Sequence, residues 1–267
     1  MRLEKRHDME VINRVVVVTG GARGIGRALA RRFAQAGAEA VVVADVDEDG
    51  ARTVGREIDG MAFKCDVSRE DDVADLVDKV QTSRGRIDIF CSNAGIAIAG
   101  GPEASTSDWQ RIWDVNLMSH VFVARHVLPQ MLERKEGYLL GTVSAAGLLN
   151  HVFAAPYGVT KAAALSLFEW LAIAHGDDGV RVSCLCPQGV KTEMLAAERH
   201  IGLDFLTAGA LEPEAVAEAV VQGLKEERFL ILPHPEVAQY FSRKAQDYDR
   251  WLRGMRRLRA NLLASSR

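Results

Sequence analysis

No apolar run in the 267 residues approaches the roughly 18 needed to cross a bilayer. Val15–Val18 and Val41–Ala44 have only the length of strands. The opening stretch MRLEKRHDMEVINR is charged and lacks the apolar centre of a signal peptide, so a cytoplasmic protein is expected. An excess of either charge is lacking too. Lys and Arg total 33 against 36 Asp and Glu, a net charge of −3, which gives no global electrostatic reason to bind nucleic acid. Cysteine is sparse: Cys65, Cys91, Cys184 and Cys186 form no Cys-x-x-Cys pair, and each lies in or beside an apolar stretch. They read as small buried hydrophobes, not disulfides or metal ligands. No cluster of His, Cys or carboxylates has metal-ligand spacing, so no metal is expected. Linkers, repeats and low-complexity stretches are missing as well. The remainder, 48% hydrophobic and 26% charged, has the balance of a globular chain.

Short β-branched runs alternate with helix-period segments nearly to the end. The strand candidates are 14–18, 40–44, 61–65, 87–91, 138–143, 180–186 and 229–232. Several are apolar on both faces, as in a parallel sheet covered on both sides. Helical periods run over 25–36, 48–58, 71–83, 106–134, 157–174 and 213–226. Right-handed crossovers between them imply an α/β fold, a single-domain doubly wound parallel sheet of about seven strands with helices on both faces. The ends depart from the rhythm. Residues 1–11 read as a flexible N-terminal extension, 12–234 as the domain, and 235–267 as a basic helical C-terminal extension. Tyr240, Phe241, Trp251 and Leu252 would pack that extension on the body; a partner-binding or membrane-surface helix is the sharper alternative.

The first strand runs into T19-G20-G21-A22-R23-G24-I25-G26, which opens a helix. Glycines there permit a tight turn and let backbone approach a pyrophosphate, whose charge the helix N-terminus favours. About 20 residues on, the second strand ends at Asp45, where a carboxylate would accept the adenosine ribose hydroxyls. It would also repel a 2′-phosphate. Asp47, Glu48 and Asp49 deepen that bias toward NAD, and Arg23 argues the other way, toward NADP. NAD is the expected cofactor.

The fifth strand candidate leads to Ser144, and Y157-G158-V159-T160-K161 follows after a short loop. Four residues apart on a helix, Tyr157 and Lys161 share a face. A phenol of ordinary pKa about 10 is a poor proton-transfer group at neutral pH. A neighbouring ammonium favours the phenolate, and Ser144 would hold a substrate oxygen against it.

With these residues assembled, the chain resembles the short-chain dehydrogenase/reductase family over about residues 12 to 232, which implies a Rossmann-type fold. The glycine loop matches at Thr19, Gly20, Gly24 and Gly26, with Ile25 between. The resemblance implies that Asp66 and Val67 recognise the adenine edge, and that Asn93, Ala94 and Gly95 support the sheet and approach the cofactor. It implies a catalytic set of Asn116, Ser144, Tyr157 and Lys161, in which Lys161 also binds the nicotinamide ribose and Asn116 holds a water of the proton relay. Pro187, Gly189, Val190 and Thr192 would contact the nicotinamide end. Two departures stand out: Ser92 replaces a common Asn, and Gln188 interrupts the usual Pro-Gly.

The pocket segments expected are 96–99, 148–153 and a flap over 193–206, whose Met194, Leu195, Ile201, Leu203, Phe205 and Leu206 suit a lipophilic or aromatic alcohol. His151 and Gln188 are candidate substrate contacts, and His200 lies in the flap. The favoured reading is an NAD-dependent dehydrogenase of an apolar secondary alcohol. An NADPH-dependent ketone or 3-oxoacyl reductase is the runner-up, and a non-catalytic NAD-responsive binding protein stands in another class. The partner expected is a small alcohol or ketone. Homodimers or homotetramers are expected through the helices around 109–134 and 157–174, as resemblance to the family implies.

Overall fold

In the computed structural model, which describes residues 10–198 and 204–265, seven parallel strands form one sheet. They are β1 (Val15–Thr19), β2 (Ala40–Asp45), β3 (Met61–Lys64), β4 (Ile89–Ser92), β5 (Gly137–Thr142), β6 (Val180–Leu185) and β7 (Leu230–Ile231). Their spatial order is β3-β2-β1-β4-β5-β6-β7. The chain steps outward from β1 to β3, then returns to the other side of β1 to lay down β4. That reversal opens a crevice at the carboxyl ends of β1 and β4, where open α/β sheets take their ligands.

Strands β1, β2, β4 and β5 are buried at every position, which is why they read as unbroken apolar runs. Side chains alternate between two cores. Val16, Val18 and Val43 pack with α1 (Gly24–Gln35), α2 (Glu48–Glu57) and α10 (Pro213–Lys225) through Leu29, Phe33, Val54 and Val220. On the opposite face Val15, Val17 and Val42 share a core with α3 (Glu70–Arg84), α5 (Ser119–Arg134) and α7 (Ala155–His175) through Val77, Met131 and Phe168. All four cysteines are buried and unbridged. Burial pushes the Cys65 and Cys186 thiols up to about 12, so neither supplies a thiolate near neutral pH.

Two regions differ from the reading of the sequence. The single helical period over 106–134 is broken into α4 (Thr106–Trp113), a π-helical turn at Asp114–Met118, and α5. One extra residue per turn barely disturbs apolar spacing, so periodicity cannot reveal it; such turns recur at functional sites. The C-terminal segment forms two helices, α11 (Glu236–Gln246) and α12 (Tyr248–Ser265), with the break at extended Asp247. Tyr240 and Trp251 pack against the core as expected. Phe241 and Leu252, at 40% and 49% exposure, do not. The inward stripe of α11 runs through Val237 and Tyr240, three residues apart, which leaves Phe241 about 100° further round the helix.

Residues 1–9 of the expected N-terminal extension, and His200, Ile201 and Leu203 of the expected flap, lie outside the described residues. The rest of the flap is α8 (Glu193–Glu198) and α9 (Asp204–Ala208). No helix among the described residues is long and apolar enough to cross a membrane.

Candidate active site

A cavity of about 1610 Å3 occupies the crevice. At its β1 end, Gly20 adopts φ +64°, and a Cβ there would meet Ala94 Cα at 2.8 Å. A Cβ on Gly26 would lie 2.0 Å from the carbonyl oxygen of Gly20. The turn therefore closes only with glycine at both positions. No side chain caps the N-terminus of α1, so its first N–H groups remain available to a ligand facing the loop. Thr19 and Asn93 lock the loop to β4. Thr19 Oγ1 accepts from the N–H groups of Asn93 and Ala94 at 3.0 and 3.2 Å, and Asn93 Nδ2 donates to the Thr19 carbonyl at 2.9 Å.

At the end of β2, Asp45 lines the cavity while 93% of its surface is covered by protein, and each carboxylate oxygen accepts a backbone N–H. Ala22 donates to Oδ2 and Asp47 to Oδ1, both at 3.0 Å. The carboxylate thus ties the glycine loop to β2. Arg23 is held away from it, with its guanidinium on Glu193 of α8 at 2.8 Å. Asp66 accepts from both the backbone and hydroxyl of Ser68, and with Val67 it lines the cavity beyond β3.

Across the crevice, Ser144, Tyr157 and Lys161 line one wall, together with His151. Ser144 follows β5 and caps α6 (Ala145–Leu149), its Oγ accepting the Ala146 N–H at 3.0 Å. Tyr157 and Lys161 sit in the first turns of α7, and the Lys161 ammonium lies 5.8 Å from the Tyr157 ring centroid. Lys161 Nζ donates to the Thr142 carbonyl at 2.8 Å. Burial pushes the pKa of this ammonium down from 10.5 to about 8. The His151 ring stands edge-on to Tyr157 at 6.1 Å, and its Nδ1 accepts the Phe153 N–H at 3.2 Å. Burial lowers its pKa, so the neutral ring carries its proton on Nε2.

Of the catalytic and cofactor residues read from the sequence, all line this cavity except Asn116 and the loop-locking Thr19; His151, Gln188 and Met194 line it too. Asn116 is wholly buried in the π-helical turn behind the wall. Its amide is committed to protein: Oδ1 accepts from Ile96 N, and Nδ2 donates to Ile96 O, each at 2.9 Å, and to Thr160 Oγ1 at 3.3 Å. The Asn116 side chain thereby fixes the 96–99 segment of the pocket.

The segment 187–192 closes the far side. Gly189 is required where α9 crosses, since a Cβ would lie 2.0 Å from the Leu206 carbonyl oxygen. At the Gln188 departure, the backbone N–H donates to Nδ1 of buried His234 at 3.2 Å. His234 went unread in the sequence, as did the contribution of the C-terminal helices. Tyr240, Trp251, Met255 and Leu258 line the same cavity as Tyr157. Lys244 Nζ donates to the Leu148 carbonyl at 2.6 Å and Arg259 Nε to the Val152 carbonyl at 3.1 Å, fastening α11 and α12 to the segment that precedes Tyr157. Among the described residues, no group of His, Cys, Asp or Glu is placed to hold a metal ion.

The family model for short chain dehydrogenases matches residues 14–201. A meso-2,3-butanediol dehydrogenase of Serratia marcescens is 39% identical over 190 residues, covering 70% of this chain and 75% of its own. An L-fucose dehydrogenase of Bos taurus is 34% identical over 222 residues, covering 78% and 82%. Among solved structures, a short chain dehydrogenase/reductase of Burkholderia phymatum in complex with NAD superposes with a TM-score of 0.84 at 29% identity, over 90% of this chain and 96% of that one. The chain belongs to the short-chain dehydrogenase family, and its fold and membership make it an oxidoreductase.

Proposed function

We propose that the protein is an NAD-dependent dehydrogenase of an apolar secondary alcohol, with Tyr157 as general base in oxidation and general acid in reduction. The observation that carries this is the Ser144–Tyr157–Lys161 wall facing the same cavity as the glycine loop. The residues present suit a dinucleotide: the loop excludes side chains at Gly20 and Gly26, and the start of α1 has no side-chain cap. When bound, the cofactor supplies the hydride acceptor for alcohol oxidation, or the donor for the reverse.

Tyr157 takes the hydroxyl proton. The Lys161 ammonium favours the phenolate electrostatically and is held in place by the Thr142 carbonyl. Ser144 Oγ, oriented by the Ala146 N–H, donates to the substrate oxygen as charge changes there. His151 offers its Nε2–H to a substrate oxygen beside Tyr157. Asn116 acts by holding the Ile96 backbone, and any relay through this position runs by way of its main chain. Gly20, Gly24, Ile25 and Gly26 receive the pyrophosphate, Asp66 and Val67 the adenine, Asn93–Gly95 and Lys161 the nicotinamide ribose side, and Pro187, Gly189, Val190 and Thr192 the nicotinamide. Gln188 and Met194 border the substrate.

NAD is favoured over NADP because Asp45 meets the ribose while Arg23 is paired with Glu193. The NAD bound to the Burkholderia protein agrees with this reading, and the Serratia relative, named as a dehydrogenase of a diol, supports the alcohol chemistry. The outer face of α7 bears Val159, Trp170 and Ile173 at 45%, 60% and 83% exposure, a stripe suited to pairing with a second copy. Reduced-nicotinamide absorbance during incubation with secondary alcohols tests the activity directly.

A further inference from the structure

One wall of the cavity that Tyr157 lines is formed by the α11–α12 hairpin. Trp251, Met255 and Leu258 of α12 and Tyr240 of α11 make that wall apolar. The same cavity is lined by two exposed arginines, Arg111 on α4 and Arg243 on α11. Neither forms an ion pair among the described residues, whereas Arg23, the other arginine on the cavity, is paired with Glu193. The Arg243 guanidinium lies 6.0 Å from the centroid of the Tyr240 ring.

Asp114 and Glu236 also line the cavity, and among the described residues neither forms an ion pair with these arginines. Asp114 accepts from Gln110 Nε2 at 2.7 Å. Glu236 lies seven residues before Arg243 on α11, about 10 Å along the helix axis at 1.5 Å per residue. These two acids do, however, oppose a dianion, so the charge that fits is single. A planar guanidinium fork matches a carboxylate with two parallel hydrogen bonds.

We propose that the substrate is an apolar, ring-bearing secondary alcohol that also carries a carboxylate. Its body lies against Trp251, Met255 and Leu258, and its charge is read by Arg243 and Arg111. The hairpin is the specificity element. This rests on the dehydrogenase reading above, which it narrows by substrate class.

The test pairs 4-(1-hydroxyethyl)benzoate with its methyl ester under NAD. The acid is expected to exceed the ester by about tenfold or more in kcat/KM, through KM, as a charge-assisted bidentate contact warrants. Arg243→Met brings the ratio to about one and Arg111→Met lowers it, while Arg250→Met, outside the cavity, leaves it unchanged. An equal or ester-favouring ratio in the unaltered protein overturns the proposal, as does an unchanged ratio in Arg243→Met. Binding of 4-ethylbenzoate, which lacks the hydroxyl, is followed in parallel by tryptophan fluorescence with NAD present. Binding that Arg243→Met abolishes, without oxidation of either alcohol, sustains the anion site and sinks the dehydrogenase reading. Oxidation without acid preference does the reverse. Neither oxidation nor binding overturns both.

Discussion

The buried ammonium of Lys161 is tied to the carbonyl of Thr142 at 2.8 Å, one helical turn from Tyr157 and at the end of β5. A cation is thereby placed at the bottom of the crevice by main chain rather than by a carboxylate. Among the described residues no carboxylate pairs with it, and the cost of burial appears as the depressed ammonium pKa.

That cost has a measurable sign. Between about 8 and 10.5 the unfolded chain binds a proton that the folded chain releases, so stability rises with pH across this window and the full penalty is felt below it. The shift corresponds to about 3 kcal/mol, offset in part by the roughly 1 kcal/mol of the hydrogen bond to Thr142. Lys161→Met is expected to raise stability by about 2 kcal/mol at pH 7 and to lose that gain toward pH 10.5. Denaturant midpoints at the two pH values check it. A loss of stability at pH 7 would mean that the ammonium is better solvated than its burial indicates.

In the proposed reading, Asp45 and Arg23 set the cofactor preference. Asp45→Ser removes the carboxylate and is expected to lower the NAD-to-NADP ratio of kcat/KM by about tenfold or more, the worth of one charge-assisted contact. Glu193→Gln releases Arg23 from an exposed pair worth about 0–1 kcal/mol and is expected to raise the NADP rate by roughly threefold. Dinucleotide kinetics on both variants decide it. An unchanged preference would remove Asp45 from the ribose site.

Asn116→Ala takes from both backbone groups of half-buried Ile96 their hydrogen-bond partner. A destabilisation of about 2 kcal/mol or more is expected from the two lost partners, along with a raised KM for alcohol as the 96–99 segment loosens. Thermal unfolding and steady-state kinetics report these separately. Full stability would show that Ile96 finds other partners.

Ile173→Glu puts a charge into the apolar stripe of α7. Sedimentation is expected to show the unaltered chain as a dimer or tetramer and the variant as a smaller species. Identical behaviour of the two would place the interface elsewhere.

The fold was legible because β1, β2, β4 and β5 are apolar on both faces and each is followed by a helical period. Those two signals alone imply a covered parallel sheet. The glycine loop was legible for a local reason, since a Cβ on Gly26 would collide with the Gly20 carbonyl within the same turn, whereas the approach of Gly20 to Ala94 is tertiary. Tyr157 and Lys161 could be paired by their helical spacing, but Asn116 was reached only through resemblance, since its partners Ile96 and Thr160 are 20 and 44 residues away. Arg111 and Arg243 carried no signal, and Trp251 was read as packing on the body but not as a cavity residue. Their significance is tertiary: Arg243 and Trp251 become cavity residues only when α11 and α12 fold back over the 148–153 loop, and a basic, amphipathic tail looks the same whether it binds a partner or roofs its own site. His234 was invisible for a related reason, a single histidine gaining its role only by meeting the Gln188 backbone.

The central claim is that Tyr157 moves the proton in a dinucleotide-dependent oxidation. Absorbance of reduced nicotinamide, followed for the unaltered protein and for Tyr157→Phe with NAD and a panel of secondary alcohols, tests it most directly. The expected result is turnover that Tyr157→Phe lowers by about 10²–10⁴-fold, the usual worth of a general acid/base, with NAD affinity kept within about twofold. Turnover that survives the substitution would contradict the account.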